Sequence, residues 1–218
     1  MKGRARVLPS DDPAADDPAA DDTPAVDLSS YRNPPGHDKG AGLFKRSVWH
    51  LVNAAFLLNP VNPSSRLKVA LIRLFGGKVG AGVVLKPGIN VKHPWFLTVG
   101  DHTWIGEGVW LDNTFAPITL GSHVCVSQGA YLCTGNHDWS DPAFGLMERP
   151  LTVEDGAWIG ARAAVLPGAR IASHTVLTGG SVIARATEAY TVYAGNPAVP
   201  VRRRVVRPGG GAGRDAAA

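Results

Sequence analysis

The chain is poor in cysteine, and its two thiols, Cys125 and Cys133, cannot form a disulfide framework. They read as small buried thiols of a reducing compartment. Long apolar runs are also missing. The longest, Val48 to Leu58, is interrupted by His50 and Asn53 and is too short to cross a bilayer. Residues 1–30 contain no apolar core of a secretory signal. The expectation is a soluble, cytoplasmic protein, with contact at a membrane surface through Trp49 and Phe56 left open. There is no Gly-x-x-x-x-Gly-Lys-Ser/Thr loop, which excludes that mode of nucleotide triphosphate binding. No two histidines lie within five residues of each other, which argues against a three-histidine zinc site built on a closely spaced pair, so no metal is expected. No basic stripe with interleaved aromatics is present, and no nucleic-acid partner is expected.

Charge is unevenly placed. The net charge is +4, but residues 1–30 hold seven Asp against three Lys/Arg, so that segment is −4 and the remainder +8. A basic body suits an anionic ligand such as a phosphorylated cofactor.

What the chain does have is a period. Val79, Leu85, Val91 and Leu97 are six apart; so are Val99, Ile105 and Leu111, then Leu120, Val126 and Leu132, then Val153, Ile159, Val165, Ile171, Leu177 and Ile183. Glycine often follows three residues later, as at Gly82, Gly88, Gly108, Gly129, Gly135, Gly156, Gly168 and Gly180. A helix repeats near 3.6 and a strand near 2, so neither alone gives six. A solenoid does: each hexapeptide makes one short strand and one turn, and three close a triangular coil around stacked aliphatic side chains. The fold class is therefore mainly β, a parallel β-helix with N-terminal capping helices.

The organisation follows. Residues 1–42 form an acidic, Pro-rich tail, disordered through residue 30, and then an extended arm. Residues 43–77 form a helical cap: one helix over Leu43 to Leu58, and a second from an N-cap at Ser64 through Phe75, with Leu67, Leu71 and Leu74 facing one way and Arg66, Lys68 and Arg73 elsewhere. Residues 78–188 form the solenoid, with breaks at 97–99, 112–119 and 138–152; the last is a loop thrown out between coils, and such insertions often lie on a binding face. Residues 189–218 form a turn and a basic tail.

Three segments carry more than fold. Leu132-Cys133-Thr134-Gly135-Asn136-His137-Asp138, Ala157-Trp158-Ile159-Gly160 and Ala194-Gly195-Asn196-Pro197-Ala198, set in hexapeptides, resemble the hexapeptide-repeat acyltransferases. The nearest likeness is to O-acetyltransferases of the colanic-acid-biosynthesis type, beside the galactoside and maltose acetyltransferases. The resemblance implies a left-handed parallel β-helix, assembled as a homotrimer that moves an acetyl group from acetyl-CoA to a carbohydrate hydroxyl. It implies His137 as the general base, an imidazole suited to take a proton from a hydroxyl near neutral pH. It implies acceptor contacts at Asn113, Asp112, Asp138 and Trp158, and CoA contacts at Ala161, Gly179, Gly180, Arg185 and Arg202. Small residues permit close approach of backbone to the pantetheine arm, and the forked donors of Arg suit phosphate. Competing readings are Cys133 as a nucleophile paired with His137, a noncatalytic hexapeptide scaffold, and an O-acetyltransferase of drug hydroxyls.

Overall fold

The computed structural model describes residues 25–34 and 36–207. The acidic stretch 1–24 and the Gly/Ala-rich end 208–218 lie outside the described residues.

Strands of two or three residues stack into three parallel sheets, one per face of a prism. The first face aligns Val79, Val99, Leu120, Val153 and Ile171. The second aligns Leu85, Ile105, Val126, Ile159 and Leu177, and the third Val91, Leu111, Leu132, Val165 and Ile183. This is the three-sided β-helix that the hexapeptide period predicts, in the left-handed form that the resemblance implies. Every member of the six-residue series is buried, each burial contributing about 1.5–3 kcal/mol.

A second buried column stands four residues after the first: Thr103, Ala130, Ala157, Ala163, Ala169, Thr175 and Ser181 turn into the prism at its corners. Its mixed chemistry hides it in the sequence. The hydroxyls are satisfied locally; Thr103 Oγ1 donates to Gly121 O at 2.7 Å, and Thr175 Oγ1 to Glu188 O at 2.9 Å.

Two details of the period resolve differently. Leu97 and Val99 are both inward on one strand, because a 3₁₀ turn at Pro94–Phe96 lengthens that coil. Several corners lack glycine: His102, His123 and His174 hold φ of 54°, 56° and 57°. Their rings stack along one edge, His102 on His123 at 5.3 Å and His174 on Tyr190 at 4.5 Å, which offsets backbone strain of roughly 1–2 kcal/mol per residue.

The cap consists of α1 (Leu43–Val52), continued by a π-helical turn at Asn53–Leu57, and α2 (Ser65–Leu74). Ser64 caps α2 by accepting from Leu67 N at 3.2 Å. An open first coil would leave three strand edges unpaired. Side chains of the cap close all three. On the first face Arg73 donates to Val79 O at 2.7 Å and Gly80 O at 2.9 Å. On the second, Leu85 N donates to Ser65 Oγ at 2.9 Å and Lys68 Nζ to Lys86 O at 3.2 Å, while the same ammonium donates to Asn62 O within the cap at 2.8 Å. On the third, Trp49 Nε1 donates to Val91 O at 2.8 Å and Asn53 Nδ2 to Asn90 Oδ1 at 2.8 Å.

This arrangement corrects the expected orientation of α2. Lys68 and Ile72 are its buried residues, whereas Leu67 and Leu74 are exposed. The edge carbonyls need donors more than they need another leucine. Burial holds the Lys68 ammonium below its ordinary pKa.

At the other end, Thr191–Gly195 extends the second face, with Tyr193 in register with Leu177, and Ala198–Arg203 returns antiparallel to it. The region expected as a turn and basic tail is thus a β-hairpin up to Arg203.

Candidate active site

After Cys133 the chain leaves the prism between the third and first faces. Gly135–His137 pairs antiparallel with Leu146–Glu148, and the chain rejoins the first face at Leu151–Val153. Gly135 is not a corner glycine: a Cβ there would overlap the Phe115 ring. His137 stands at the outer end of the hairpin, paired with Leu146.

Among the described residues, the ring nitrogens of the imidazole have one hydrogen-bond partner. His137 Nδ1 lies 2.8 Å from Phe144 O. A carbonyl can only accept, so Nδ1 carries the hydrogen, and in the neutral ring Nε2 keeps its lone pair. Phe144 adopts φ 54°, fixed by its N donating to Asp141 O at 2.8 Å and by Gly145 N donating to Asp141 Oδ2 at 2.9 Å. The Phe144 ring stacks on the imidazole at 4.4 Å and 11°, and Tyr31 meets it edge-on at 5.9 Å.

Asp138 does not touch that ring. Its carboxylate accepts from Ser140 N and Ser140 Oγ, bonds that hold it below the usual carboxylate range, and its own N donates to Gly145 O at 2.8 Å. It shapes the turn that delivers the Phe144 carbonyl. Cys133 is buried, its thiol donating to Gly135 O at 3.0 Å, which leaves it poorly placed as a nucleophile.

Tyr31 belongs to the arm, whose docking the sequence did not reveal. Leu28–Ser30 forms a 3₁₀ turn, Asp27 N donates to Pro142 O at 2.8 Å, and His37 pairs with Glu148 on the returning strand. Trp95 Nε1 donates to Lys39 O at 2.7 Å. Its Pro-rich composition shows what this segment cannot do alone, not that a hairpin receives it. Removing the ring contact in Tyr31→Ala is expected to lower the turnover that the resemblance implies by up to ~10-fold, the equivalent of a single aromatic pair, while the thermal midpoint stays within a degree or two. Steady-state kinetics beside a melting curve checks this.

At the base of the hairpin, Asp112 accepts from Thr114 Oγ1 at 2.8 Å and from Tyr131 OH at 3.1 Å. Burial first, then Cys133 and Asp112, raise the Tyr131 pKa. Asn113 is fully buried, donating to His93 O at 2.6 Å and accepting from His93 N at 2.9 Å. Its amide braces the coil, and burial leaves it no exposed surface in this chain for the sugar contact implied by resemblance.

His93 itself is partly buried, stacked on Trp95 at 4.7 Å, with Nδ1 lacking a partner. Desolvation, with Arg46 and Lys39 opposing and Thr114 and Asp112 favouring its charge, depresses its pKa to about 4. The unfolded ring titrates near ~6.5. The unfolded chain therefore binds the extra proton between those values, and stability present above pH 6.5 is lost as pH falls toward 4. The expected loss is about 1–2 kcal/mol after allowing for partial exposure, read as a lower urea midpoint at pH 5 than at pH 7.5. His93→Gln should flatten that difference.

A groove lies elsewhere, along the second face and its corner with the third. Trp158, Ala161, Gly179 and Arg202, four of the expected residues, line one cavity of about 780 Å³ with Arg203, Arg204 and Arg207. Gly180 follows at the same corner, its N donating to Ala161 O at 2.8 Å. Among the described contacts, the N–H groups of Ala161 and Gly179 donate to nothing. Gly160 lets two coils meet here: a Cβ would stand 2.7 Å from Leu177 O. Arg185 is apart, in a cavity of about 200 Å³ with Pro197, its Nη2 donating to Ala198 O at 3.0 Å. From the run of arginines the resemblance implies only Arg202; Arg203, Arg204 and Arg207 join it because the C-terminal hairpin folds back on the groove.

Trp158 does not contact His137 within the chain. Its Nε1 donates to Ser127 Oγ at 2.8 Å on the second face, whereas the hairpin departs after the third. Among the described residues, no three His, Cys, Asp or Glu are grouped as metal ligands.

No protein-family model matches the chain. A protein of Escherichia coli K12 named as a colanic acid biosynthesis acetyltransferase, WcaF, is 36% identical over 179 residues, covering 82% of this chain and 97% of its own. The chain belongs to the hexapeptide-repeat acetyltransferases. Solved structures carry the same fold at lower identity. A hexapeptide-repeat acetyltransferase of Vibrio cholerae O1 biovar eltor, complexed with acetyl coenzyme A, superposes with a TM-score of 0.69 at 23% identity, covering 78% of this chain and 93% of that one. A galactoside acetyltransferase in complex with coenzyme A gives 0.64 at 19% identity, covering 73% and 80%. The protein is an acyltransferase by this membership.

Proposed function

We propose that this acetyltransferase moves an acetyl group from acetyl-CoA to a carbohydrate hydroxyl, with His137 as the general base. The observation that carries the reading is the one-sided hydrogen bond of His137. With Nδ1–H committed to Phe144 O, the lone pair of Nε2 faces away from the loop. Nε2 accepts the hydroxyl proton as the acceptor oxygen bonds to the thioester carbonyl carbon. The tetrahedral oxyanion then collapses, the C–S bond breaks, and the proton passes from Nε2 to the CoA thiolate. The products are an acetyl ester and free CoA.

The groove suits the donor. The free N–H groups of Ala161 and Gly179 fit the amide carbonyls of a pantetheine arm, Trp158 flanks them, and Arg202, Arg203, Arg204 and Arg207 fit its phosphates. Because hairpin and groove occupy different corners, one chain cannot bring base and thioester together. A cyclic homotrimer, with the hairpin of one copy closing on the groove of the next, gives three equivalent sites. The names of the relatives, colanic acid biosynthesis and galactoside, support a saccharide acceptor. A cytoplasmic setting follows from the donor; among the described residues, no helix is long and apolar enough to cross a membrane.

The test is acceptor-dependent thiol release from acetyl-CoA across monosaccharides, nucleotide sugars, oligosaccharides and chloramphenicol. Release with a saccharide and an ester product by mass spectrometry are expected. Preference for chloramphenicol would move the reading to drug acetylation, and no release with any acceptor would leave a scaffold.

A further inference from the structure

The cap carries a surface that its role in closing the prism does not use. Between Asp38 and Asp101 the chain has no Asp or Glu, while Lys39, Lys45, Arg46, Arg66, Lys68, Arg73, Lys78, Lys86 and Lys92 fall in that interval. Lys68 is buried against edge carbonyls; Arg66, Arg73, Lys78 and Lys86 are exposed. The same segment exposes large apolar side chains on the sides of its helices turned away from the prism. Phe44, Leu51 and Leu58 recur every seventh residue, opposite buried Trp49, Asn53 and Leu57. Phe44 is 84% exposed, Leu51 68%, Val61 in the connecting turn 83% and Leu74 on α2 77%. A helix with leucine and phenylalanine on one exposed face, in a segment rich in cations and without carboxylates of its own, has the composition of one that lies in a lipid interface; the Asp101 carboxylate that folds against the segment is engaged by Ala81 N at 2.7 Å. Cations near an anionic bilayer each add to that attraction. A second copy of the same face would bring like charges together, which disfavours self-association as the occupant.

We infer that the helical cap docks the protein peripherally on an anionic membrane surface, with Phe44, Leu51 and Val61 entering the headgroup region and Arg66, Lys78 and Lys86 meeting lipid phosphates.

The test is co-sedimentation of the full chain with vesicles of phosphatidylcholine alone or with 30% phosphatidylglycerol. Binding to the anionic vesicles is expected to exceed that to the neutral ones by at least ~10-fold and to weaken as salt rises. Phe44→Asp with Leu51→Asp should lower it by at least ~10-fold, as should Arg66→Glu with Lys86→Glu. These residues are exposed, and a wild-type melting curve confirms that the variants fold. Equal binding to both vesicle types, no binding, or binding unchanged by both double variants overturns the inference. So does a concentration-dependent association in sedimentation velocity that Leu51→Asp abolishes, since the face would then belong to a second copy. None of these readouts uses turnover, so their failure leaves the acetyl-transfer reading untouched.

Discussion

His137→Ala is expected to lower acceptor-dependent acyl transfer by ~10²–10⁴-fold, the range a positioned general base supplies. The imidazole is partly exposed and contributes no core packing, so the variant should melt within a degree or two of wild type. Binding of acetyl-CoA should be unchanged, because the groove residues lie at another corner. A loss confined to turnover therefore identifies the base, whereas a matched loss of donor affinity would indicate that His137 shapes the groove. His137→Gln is the sharper control: its amide can still donate to Phe144 O but cannot take a proton, and it should be as impaired as the alanine. Full turnover in either variant rules out the base assignment.

The second large effect is structural. Lys68→Met keeps the bulk of the side chain but removes the charged donor from Asn62 O and Lys86 O. Part-buried carbonyls left without a partner cost up to about 1–3 kcal/mol each, partly relieved by water entering the edge, so a destabilisation of about 2–4 kcal/mol is expected. For a chain of this length that lowers the melting temperature by about 5–15 °C. Calorimetry on wild type and variant reads it directly. An unchanged melting temperature would mean that the first-coil edge does not rely on the cap for its donors.

Those two residues mark what the sequence made legible. The prism was readable because its driving force repeats: an aliphatic side chain every sixth position leaves one solution that buries them all, and Val79 to Ile183 all lie inside. His137 stood out because it ends a coil beside an insertion. Lys68 did not, since helical periodicity ranks a lysine as outward, and only the unpaired carbonyls of Lys86 and Asn62 explain why it turns in. Asn113 differs for a related reason: resemblance supplies a residue's position, while its two hydrogen bonds to His93 are a property of this coil. Tyr31 lay beyond reach, because a contact between residues 31 and 137 leaves no periodic trace. The groove was partly legible, with Trp158, Ala161, Gly179 and Arg202 converging, but Arg185 parts from them once the C-terminal hairpin is formed.

The proposed site is one that no single chain completes, and mixed oligomers test that most directly. His137→Ala removes the base and Gly179→Trp fills the groove; each homomeric variant should be inactive. Co-refolded in equal amounts, they should recover about a quarter of wild-type turnover, because at random mixing about one seam in four joins an intact hairpin to an intact groove. Recovery near that level is the predicted result. Mixed oligomers that form, as shown by differential tagging, yet remain as inactive as their parents would place base and groove within one chain and contradict the account.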